Sequence, residues 1–426
     1  MSLDDLVSAE RTSQPNLCLP HQCEFLSDQW LDQARIFLTA ATASRTLPPF
    51  SLVERFRNTP RHLGFENNLA LWSATFDGQQ LRVSRSQPNQ PNVSVDGDYQ
   101  AGLFVAQAVG ASIPDAMGRT LAELYHLFGD DALHSTGTFN DPEVTRLFAD
   151  FHDHMARITV ENPDISHRAQ AFALNNQIQH IKEQGYAVIK NAITEEFADE
   201  VRETSQRAVS AHGGNQLQWM LYQGLPLERL AQNAPLMTLI DATLGRGAVI
   251  ASLSAIVRGP GPGQIPLHND YSMIPEPYPD FAMTGVGVWA LEDWTPASGP
   301  TWIVPGSHLT RRAPRPGEDV SQAVPIEMPK GSVVYFTHGV WHWQGDRSEA
   351  GERVTIHAHF NRGILRGLEP KKIDPQMLHR NAPRLGEMLG EDDWFDKLDA
   401  HGRDYARAAH MARLQKFTND RLAALE

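Results

Sequence analysis

Cysteine is almost absent from this chain, whose 426 residues include only Cys18 and Cys23. Their spacing is not Cys-x-x-Cys, and no second pair of cysteines exists that could complete a structural zinc site. Such cysteine usage is typical of a reducing compartment, so we expect a cytoplasmic protein. The first residues also lack a basic start followed by an apolar run, and no signal peptide is predicted.

Positive charge and long apolar runs are scarce as well. The chain has 37 Lys and Arg against 51 Asp and Glu, a net charge of −14 at pH 7. Binding to nucleic acid or to anionic membranes depends on clustered Lys and Arg, so neither partner is expected. No run of about eighteen apolar residues is present, and no transmembrane helix is predicted.

The remaining composition is that of a globular protein, with 41% hydrophobic and 21% charged residues. The length suggests two or three domains. The helix-breaking sequence Asn162-Pro163-Asp164 is the candidate boundary. We therefore expect an N-terminal helical or α+β accessory domain over 1–165, a second domain over 166–370, and a C-terminal helical extension over 371–426 that packs on the core and includes an amphipathic helix at 405–425.

The N-terminal domain has the pattern of a small sheet with a helix packed on it. Apolar strands flank the turn sequence Asp77-Gly78, which predicts a β-hairpin. A short strand at 93–95 and a helix at 99–109 follow. This order of elements resembles a sterol-carrier-like α/β domain. The simpler alternative is a structural domain that covers the second domain or mediates a homodimer.

Beyond residue 247 the chain changes to short strands separated by Gly and Pro turns. Many short strands with regular turns are typical of a sandwich or barrel. The predicted strands are 248–257, 265–270, 283–291, 301–304, 324–328, 332–336 and 353–360.

The sequence Ile265-Pro266-Leu267-His268-Asn269-Asp270 follows a Gly/Pro loop and contains two candidate metal ligands. In a strand, residues i and i+2 point to the same face, so His268 and Asp270 can converge on one point. Further histidine ligands must come from the same β-rich region. The candidates are His308, His338, His342, His357 and His359.

Among these candidates, His342 directly follows an apolar strand, and Arg353 comes eleven residues later. A hairpin through Gly345-Asp346-Arg347 would bring the strand of Arg353 back beside His342. Two histidines and one carboxylate leave three open positions on an octahedral Fe(II), which a bidentate 2-oxo acid and O2 can fill. A guanidinium nearby can hold the far carboxylate of 2-oxoglutarate in a two-pronged ion pair.

Several motifs occur in an order that resembles the phytanoyl-CoA dioxygenase family of Fe(II)/2-oxoglutarate-dependent oxygenases. The resemblance covers residues 183–365, a little under half of the chain. It implies an α+β protein with a double-stranded β-helix, jelly-roll or cupin-like core and flanking helices, beside the smaller N-terminal α/β domain. The motifs are Gly185-Tyr186-Ala187-Val188-Ile189, His268-Asn269-Asp270, Val288-Trp289-Ala290-Leu291-Glu292-Asp293, Ser298-Gly299-Pro300-Thr301-Trp302-Ile303-Val304-Pro305-Gly306-Ser307-His308 and Gly331-Ser332-Val333-Val334-Tyr335-Phe336, followed by His342 and Arg353.

By this resemblance, His268, Asp270 and His342 are the iron ligands, and Arg353 binds the carboxylate of the co-substrate. Trp289 matches a tryptophan close to 2-oxoglutarate in the family, although a core position is an equal alternative. Thr301 either offers its hydroxyl to the co-substrate or is an ordinary strand residue.

The other histidines receive different roles from the resemblance. His308 matches a landmark that shapes a turn, and His338 is the rival third ligand with a poorer spacing to Arg353. His357 and His359 share strand parity with Arg353 and are expected to point inward as satisfied barrel-interior histidines.

Two positions depart from the family pattern. Gln344 stands where a small hydroxyl residue is frequent two positions after the distal histidine, and Asp346 stands where an asparagine is frequent. The co-substrate pocket is therefore expected to have a different boundary. Because Asp270 is present, a halogenase is disfavoured, since halogenating relatives leave that position to Gly or Ala.

The expected reaction is the oxidation, by hydroxylation or a related outcome, of an unactivated C–H bond in a small molecule. It would use Fe(II), 2-oxoglutarate and O2 and release succinate and CO2. Two alternatives stay open: a metal-dependent hydrolase or isomerase on the same barrel, and a non-catalytic small-molecule-binding protein. Large side chains suggest an apolar or aromatic substrate; they are Trp219, Met220, Tyr222, Tyr271, Met273, Trp341 and Trp343.

Overall fold

The chain folds into two units, each built around its own sheet. The computed structural model describes residues 22–110, 115–130, 132–271, 274–367 and 373–391. Within these, the first unit contains 22–168 and 373–386, and the second contains 169–367 and 387–391. The helix expected at 405–425 and the substrate contact expected at Met273 lie outside the described residues. The predicted domain ranges, including the packing of 371–426, stay predictions.

The first unit contains a five-stranded sheet with the order β4-β3-β2-β5-β6, in which only β2 and β5 run parallel. A short parallel pair, β1 with β7, lies outside this sheet. The predicted hairpin at Asp77-Gly78 joins β3 to β4. The strands are β1 (Cys23–Glu24), β2 (Phe50–Arg57), β3 (Ala70–Phe76), β4 (Leu81–Ser84), β5 (Val93–Asp98), β6 (Leu133–Gly137) and β7 (Thr159–Val160).

Helices cover this sheet through an aromatic core. The first helix begins after Ser27, whose hydroxyl accepts a hydrogen bond from the backbone of Trp30, and it buries one stripe at a spacing of four residues, Trp30, Ala34 and Leu38. The ring of Trp30 packs edge-on against Trp72 of β3, with centroids 5.3 Å apart. The helices are α1 (Asp28–Ala43), α2 (Tyr99–Ala106), α3 (Ala116–Phe128), α4 (Pro142–Ala156) and α5 (Ile165–Ala171), which crosses the division between the units.

The second unit has a six-stranded antiparallel sheet with the order β8-β14-β11-β16-β10-β9 and a three-stranded sheet with the order β13-β12-β15. Its core is dominated by β-branched residues, which suit a buried pleated surface. The strands are β8 (Tyr186–Ile189), β9 (Gln216–Leu217), β10 (Val249–Arg258), β11 (Thr284–Ala290), β12 (Thr301–Val304), β13 (Val324–Pro325), β14 (Val333–Thr337), β15 (Trp341–Gln344) and β16 (Arg353–Asn361).

Helices of the second unit begin and end at residues with a clear physical role. Thr194 caps the long helix α7 through its hydroxyl, which accepts from the backbone of Phe197. Gly185 ends α6 in the left-handed conformation, and a side chain there would collide with Val340. The helices of this unit are α6 (Asn175–Gln184), α7 (Glu195–His212), α8 (Leu225–Ala231) and α9 (Ala234–Leu244). After the last strand, α10 (Pro375–His379) belongs to the first unit, and α11 (Pro383–Met388) crosses the division between the units.

These findings confirm a mixed α and β protein and correct two sequence-based expectations. Residues 265–270 are not a strand, because only His268 forms a single bridge there. The chain does not turn as a hairpin between 344 and 353 either: β15 pairs with β12, whereas β16 lies between β10 and β11 in the other sheet. Among the described residues, no helix is both long and apolar enough to cross a membrane.

A carboxyl group in the first sheet makes stability depend on pH. Glu54 accepts a hydrogen bond from the indole of Trp72, and burial raises the pKa of its carboxyl to about 7 despite that bond. Because this folded-state pKa lies above the ordinary glutamate value of 4.5, the stabilising effect of Glu54 is complete at low pH and is lost between about pH 4.5 and 7. Glu54→Gln keeps an acceptor for Trp72 without this titration.

We therefore predict that the stability of Glu54→Gln relative to the unchanged protein rises by about 1–3 kcal/mol between pH 4.5 and 7. Denaturant unfolding at a series of pH values measures this difference. A difference that stays constant over the whole range would contradict the prediction.

Candidate metal and co-substrate site

The candidate ligands meet because a short backbone bridge holds the loop at 265–270 against β15. The amide of His268 donates to the carbonyl of His342 at 3.0 Å, and the amide of His342 donates back to the carbonyl of His268 at 2.9 Å. Two residues further along, the amide of Asp270 donates to the carbonyl of His338 at 3.0 Å. This pairing positions the two loop residues, which lie outside any strand.

Three side chains converge on one point there. His268 Nε2 lies 3.4 Å from Asp270 Oδ1, and His342 Nε2 lies 3.8 Å from Asp270 Oδ2. All three candidate ligand atoms lie within 4.8 Å of one another. His342 is buried, whereas the other two are half-buried, so the group has one side toward the interior and one open side.

Backbone carbonyls fix which nitrogen of each imidazole is free. His268 Nδ1 lies 2.9 Å from the carbonyl oxygen of Pro266, and His342 Nδ1 lies 3.0 Å from that of Val340. A carbonyl oxygen can only accept, so both Nδ1 atoms carry the proton. In the neutral form of each ring the lone pair is then on Nε2, the atom that faces Asp270, which is the arrangement that metal-binding histidines use.

The electrostatics of the site keep Asp270 ionised. Burial alone would raise the pKa of its carboxyl, but His338, His268 and His342 around it outweigh burial and hold that pKa well below its usual range. Burial lowers the pKa of His342, so its imidazole is neutral near pH 7. Burial alone would also lower the pKa of His268, but the hydrogen bond and charge of Asp270 outweigh burial and raise that pKa, so a metal ion must displace a proton more readily held there. A carboxylate and neutral imidazoles are the protonation states that a metal ion requires of its ligands.

Arg353 lies at the start of β16 and is almost completely buried, with 4% of its surface exposed. Its Nη1 donates to the backbone carbonyls of Ser298 and Gly299, and its Nε has no acceptor. The guanidinium lies over the ring of Trp294, 5.0 Å from the centroid. Burial lowers the pKa of Arg353 to about 10, still far above neutral pH, so the group is a buried cation with a free donor.

Two further arginines add positive charge beside Arg353. Arg258 is its direct partner across β10 and β16, and its Nη1 donates to the carbonyl of Gly345. Arg347 donates to the carbonyl of Ser298, and its Nε is also buried without an acceptor. Arg347 Nη1 also lies 3.4 Å from Glu349 Oε2, so one carboxylate offsets part of the charge. Neutral carbonyls bind most of the rest, and the arginine cluster (Arg258, Arg347 and Arg353) keeps a positive charge suited to an anion.

Sequence reasoning missed Trp294, Arg258 and Arg347. A charged residue at the end of the otherwise apolar strand Val249–Arg258 was the available signal for Arg258. Trp294 and Arg347 lie in loops whose neighbours in space depend on the pairing of strands far away in sequence, and no local pattern marks them.

The structure does not bring Trp289 to this site. In the register of β11 and β16, Ala290 lies opposite Thr355, and Trp289 lies opposite Ile356. Opposed residues share a face and successive residues alternate, so Trp289 faces away from Arg353 and Thr355. Its side chain is completely buried on the other face, as the core alternative expects.

Thr301, in contrast, lies on the same face of its sheet as a candidate ligand. In the register of β12 and β15, Thr301 is opposite Gln344, and Ile303 is opposite His342. The departures at Gln344 and Asp346 also have a structural role. Their side chains accept from the backbone amides of Gln264 and Gly263, and so anchor the Gly/Pro loop that precedes His268.

Three of the remaining histidines form a row beside Asp270. His338 Nε2 is 3.7 Å from Asp270 Oδ2 and 3.2 Å from His359 Nδ1. His357 and His359 lie on the face of β16 that also carries Arg353, as their parity predicted. His308 lies elsewhere, in the turn Ser307–Thr310, where its Nε2 is 3.3 Å from the carbonyl of Lys182.

Most of the aromatic residues expected at the substrate are not on the ligand face. Trp341 and Trp343 alternate with His342 along β15; Trp341 donates to the carbonyl of Arg312, and Trp343 stacks on Trp302. Trp219 is 48% exposed and Met220 is fully buried in the core, while Tyr222 is half-buried. Of the described members of this set, Tyr271 packs near the candidate ligands, edge-on to His338 with ring centroids 6.3 Å apart.

A comparison with protein families gives a match over this part of the chain. Residues 181–353 match the family model described as Phytanoyl-CoA dioxygenase (PhyH). The resemblance inferred from the motifs is thereby confirmed for this segment.

Similar proteins match over shorter lengths. "Dioxygenase trt7" of Aspergillus terreus is 32% identical over 96 residues, which is 22% of this chain and 30% of that protein. "Uncharacterized protein Mb1539" of Mycobacterium bovis is 23% identical over 120 residues, which is 28% of this chain and 43% of that protein. The chain therefore spans less than half the length of these curated relatives.

Among solved structures, HygX from Streptomyces hygroscopicus with nickel and 2-oxoglutarate bound is similar to part of this chain. It is 14% identical with a TM-score of 0.38, and the match covers 44% of this chain and 86% of that one.

Proposed function

We propose that the protein is an Fe(II)- and 2-oxoglutarate-dependent dioxygenase that hydroxylates an unactivated C–H bond of a small molecule. The premise is that residues 181–353 form a phytanoyl-CoA dioxygenase-like domain. In this reaction 2-oxoglutarate, O2 and R–H give succinate, CO2 and R–OH. One observation carries the proposal: two imidazole Nε2 atoms and one carboxylate converge on one point, and the face of β16 that carries His359 also carries Arg353, which is part of a buried arginine cluster with unpaired Nε donors.

His268, Asp270 and His342 are the proposed iron ligands. Two nitrogen donors and one carboxylate on the same side of the metal suit non-haem Fe(II) and leave positions for a 2-oxo acid and O2. The hydrogen bonds from Nδ1 to Pro266 and Val340 keep both Nε2 lone pairs directed at the ion. Bound iron with 2-oxoglutarate and O2 supplies the oxidising chemistry, while the protein supplies orientation and exclusion of water.

Arg353 is the proposed anchor for the far carboxylate of 2-oxoglutarate. Its Nη1 is already held by two carbonyls, which fixes the guanidinium and leaves the Nε edge for the ligand. An ion pair with a buried guanidinium that is held on its Nη1 side gives orientation as well as affinity. Arg258 and Arg347 add to the positive potential, Trp294 covers the guanidinium, and Thr301 offers a hydroxyl to the co-substrate.

The two sheets of the second unit are proposed to be the two faces of a double-stranded β-helix. His342 belongs to the three-stranded sheet and Arg353 to the six-stranded one, so each sheet contributes one part of the site. The apolar cluster that includes Val286, Val288, Ile303 and Phe336 contains residues of both sheets and excludes water from the interior.

The alternatives account for fewer of these observations. A metal-dependent hydrolase or isomerase would use the three ligands but not a buried arginine cluster with free donors. A non-catalytic binding protein would need neither the fixed imidazole tautomers nor the ionised carboxylate. The substrate class, the cytoplasmic location, the homodimer and the function of residues 1–165 remain predictions.

Turnover tests the assignment of the ligands. Changes to residues that only orient a metal ligand lower metal affinity or activity about 10–100-fold. His342→Ala removes a ligand itself, so it should lower O2-dependent succinate formation from 2-oxoglutarate at least about 100-fold. The matched control is His212→Ala, at the exposed end of α7. Turnover by His342→Ala close to that of the control would contradict the assignment.

Binding of 2-oxoglutarate tests which tryptophan serves the co-substrate. Trp294 faces Arg353 and Trp289 does not, so Trp294→Phe should raise the Kd for 2-oxoglutarate about five-fold, the equivalent of a cation–π contribution of about 1 kcal/mol. Trp289→Phe should leave this Kd within about two-fold. Equilibrium dialysis with Mn(II) in place of iron measures both, and far-UV circular dichroism controls for folding. The reverse order of effects would show that Trp289 is the co-substrate tryptophan.

A further inference from the structure

A second set of metal-binding side chains lies beside the proposed iron ligands and shares one of them. Asp270, His338 and His359 also offer three ligand atoms within 4.8 Å of one another. Three separate segments carry these ligands. His338 follows β14, His359 is on β16, and Asp270 is in the loop at 265–270. The proposed reaction uses neither His338 nor His359.

We propose that Asp270, His338 and His359 form a second position for a first-row divalent metal ion such as Zn(II), alternative to the position at His268 and His342. This proposal rests on the proposed function in one respect: it takes His268, Asp270 and His342 to be the first metal position. A donor set of two imidazoles and one carboxylate is one that zinc, cobalt, nickel and iron all accept.

One ligand–ligand distance already suits a common ion, and the others require a small approach of the side chains. Ligand atoms about 2.1 Å from a metal are roughly 3.0–3.4 Å apart at octahedral or tetrahedral angles. His338 Nε2 and His359 Nδ1 are 3.2 Å apart, and His338 Nε2 is 3.7 Å from Asp270 Oδ2. The last distance is close to the 3.8 Å between His342 Nε2 and the same oxygen in the first position.

The segments that carry these ligands are held by the backbone. The amide of His338 donates to the carbonyl of Thr284, and its own carbonyl accepts from the amide of Asp270. His359 is inside the longest pairing of the second unit's sheet, opposite Ser252 of β10 and Val286 of β11. Little rearrangement is therefore needed for the three atoms to approach an ion.

Charge makes the two positions mutually exclusive. His338 and His342 approach the same oxygen of Asp270, and within the two sets this residue is the only carboxylate. Two dications beside one carboxylate would leave a net charge of three in a largely buried site, which is strongly unfavourable without further anions. An ion in the second position therefore takes Asp270 from the first one, and zinc held there would inhibit the oxygenase.

Zinc binding by variants of the whole chain tests the second position. The unchanged protein should bind one equivalent of Zn(II) in equilibrium dialysis with metal analysis. The double variant His268→Ala/His342→Ala should still bind one equivalent, with a Kd raised by less than about 100-fold, and addition of His359→Ala should abolish this binding. The matched control adds His357→Ala instead, on the same strand and face but outside the set, and should keep the equivalent.

The outcomes separate the second position from the proposed function. No zinc on a folded double variant, or equal zinc with and without His359, overturns the second position while the iron ligands stand. No metal on the unchanged protein overturns both proposals, and two equivalents overturn their mutual exclusion. If the alanine pair does not fold, His268→Gln/His342→Gln provides the same test with larger side chains.

Discussion

The reciprocal hydrogen bonds between the backbones of His268 and His342 are the constraint on which the site depends. They join a loop outside any strand to β15, and they bring together two residues that are far apart in sequence. Asp270 follows from the same constraint, because its amide continues the pairing toward His338. The carbonyls of Pro266 and Val340 then set both imidazoles in one tautomer. Backbone geometry thus determines where the side-chain donors point, before any metal binds.

A second constraint comes from burying positive charge. Arg353 and Arg258 are direct partners across two strands, and Arg347 reaches the same carbonyl as Arg353. Buried cations are costly unless they are hydrogen-bonded, and here peptide carbonyls supply many of the bonds. Carbonyls do not neutralise charge, and Glu349 pairs with Arg347 alone, so the three arginines keep a net positive charge and an affinity for anions. The segment Ser298-Gly299 provides the acceptors, which gives this part of the sequence motif a physical reason.

The sequence predicted those features that depend on local pattern or on motif order. Most of the strands between Val249 and Asn361, the hairpin at Asp77-Gly78 and the inward parity of His357 were predicted in this way. Features that depend on pairing across long distances were not. Strand register determines which face of the sheet Trp289 and Trp343 lie on. Pairing with β12 determines that β15 belongs to the three-stranded sheet. Trp294 lies beside Arg353 because of a loop conformation that no periodicity describes. His338 was judged by its spacing along the chain, whereas its closeness to Asp270 is a property of the fold.

The central claim is that His268, Asp270 and His342 bind Fe(II) while Arg353 holds 2-oxoglutarate on it. The most direct test is an anaerobic titration of the metal-free protein with Fe(II) and 2-oxoglutarate, followed by visible absorption. We expect the weak metal-to-ligand charge-transfer band of chelated 2-oxoglutarate in the unchanged protein, and its loss in His268→Ala. Absence of the band from the unchanged protein, or an undiminished band in His268→Ala, would contradict it.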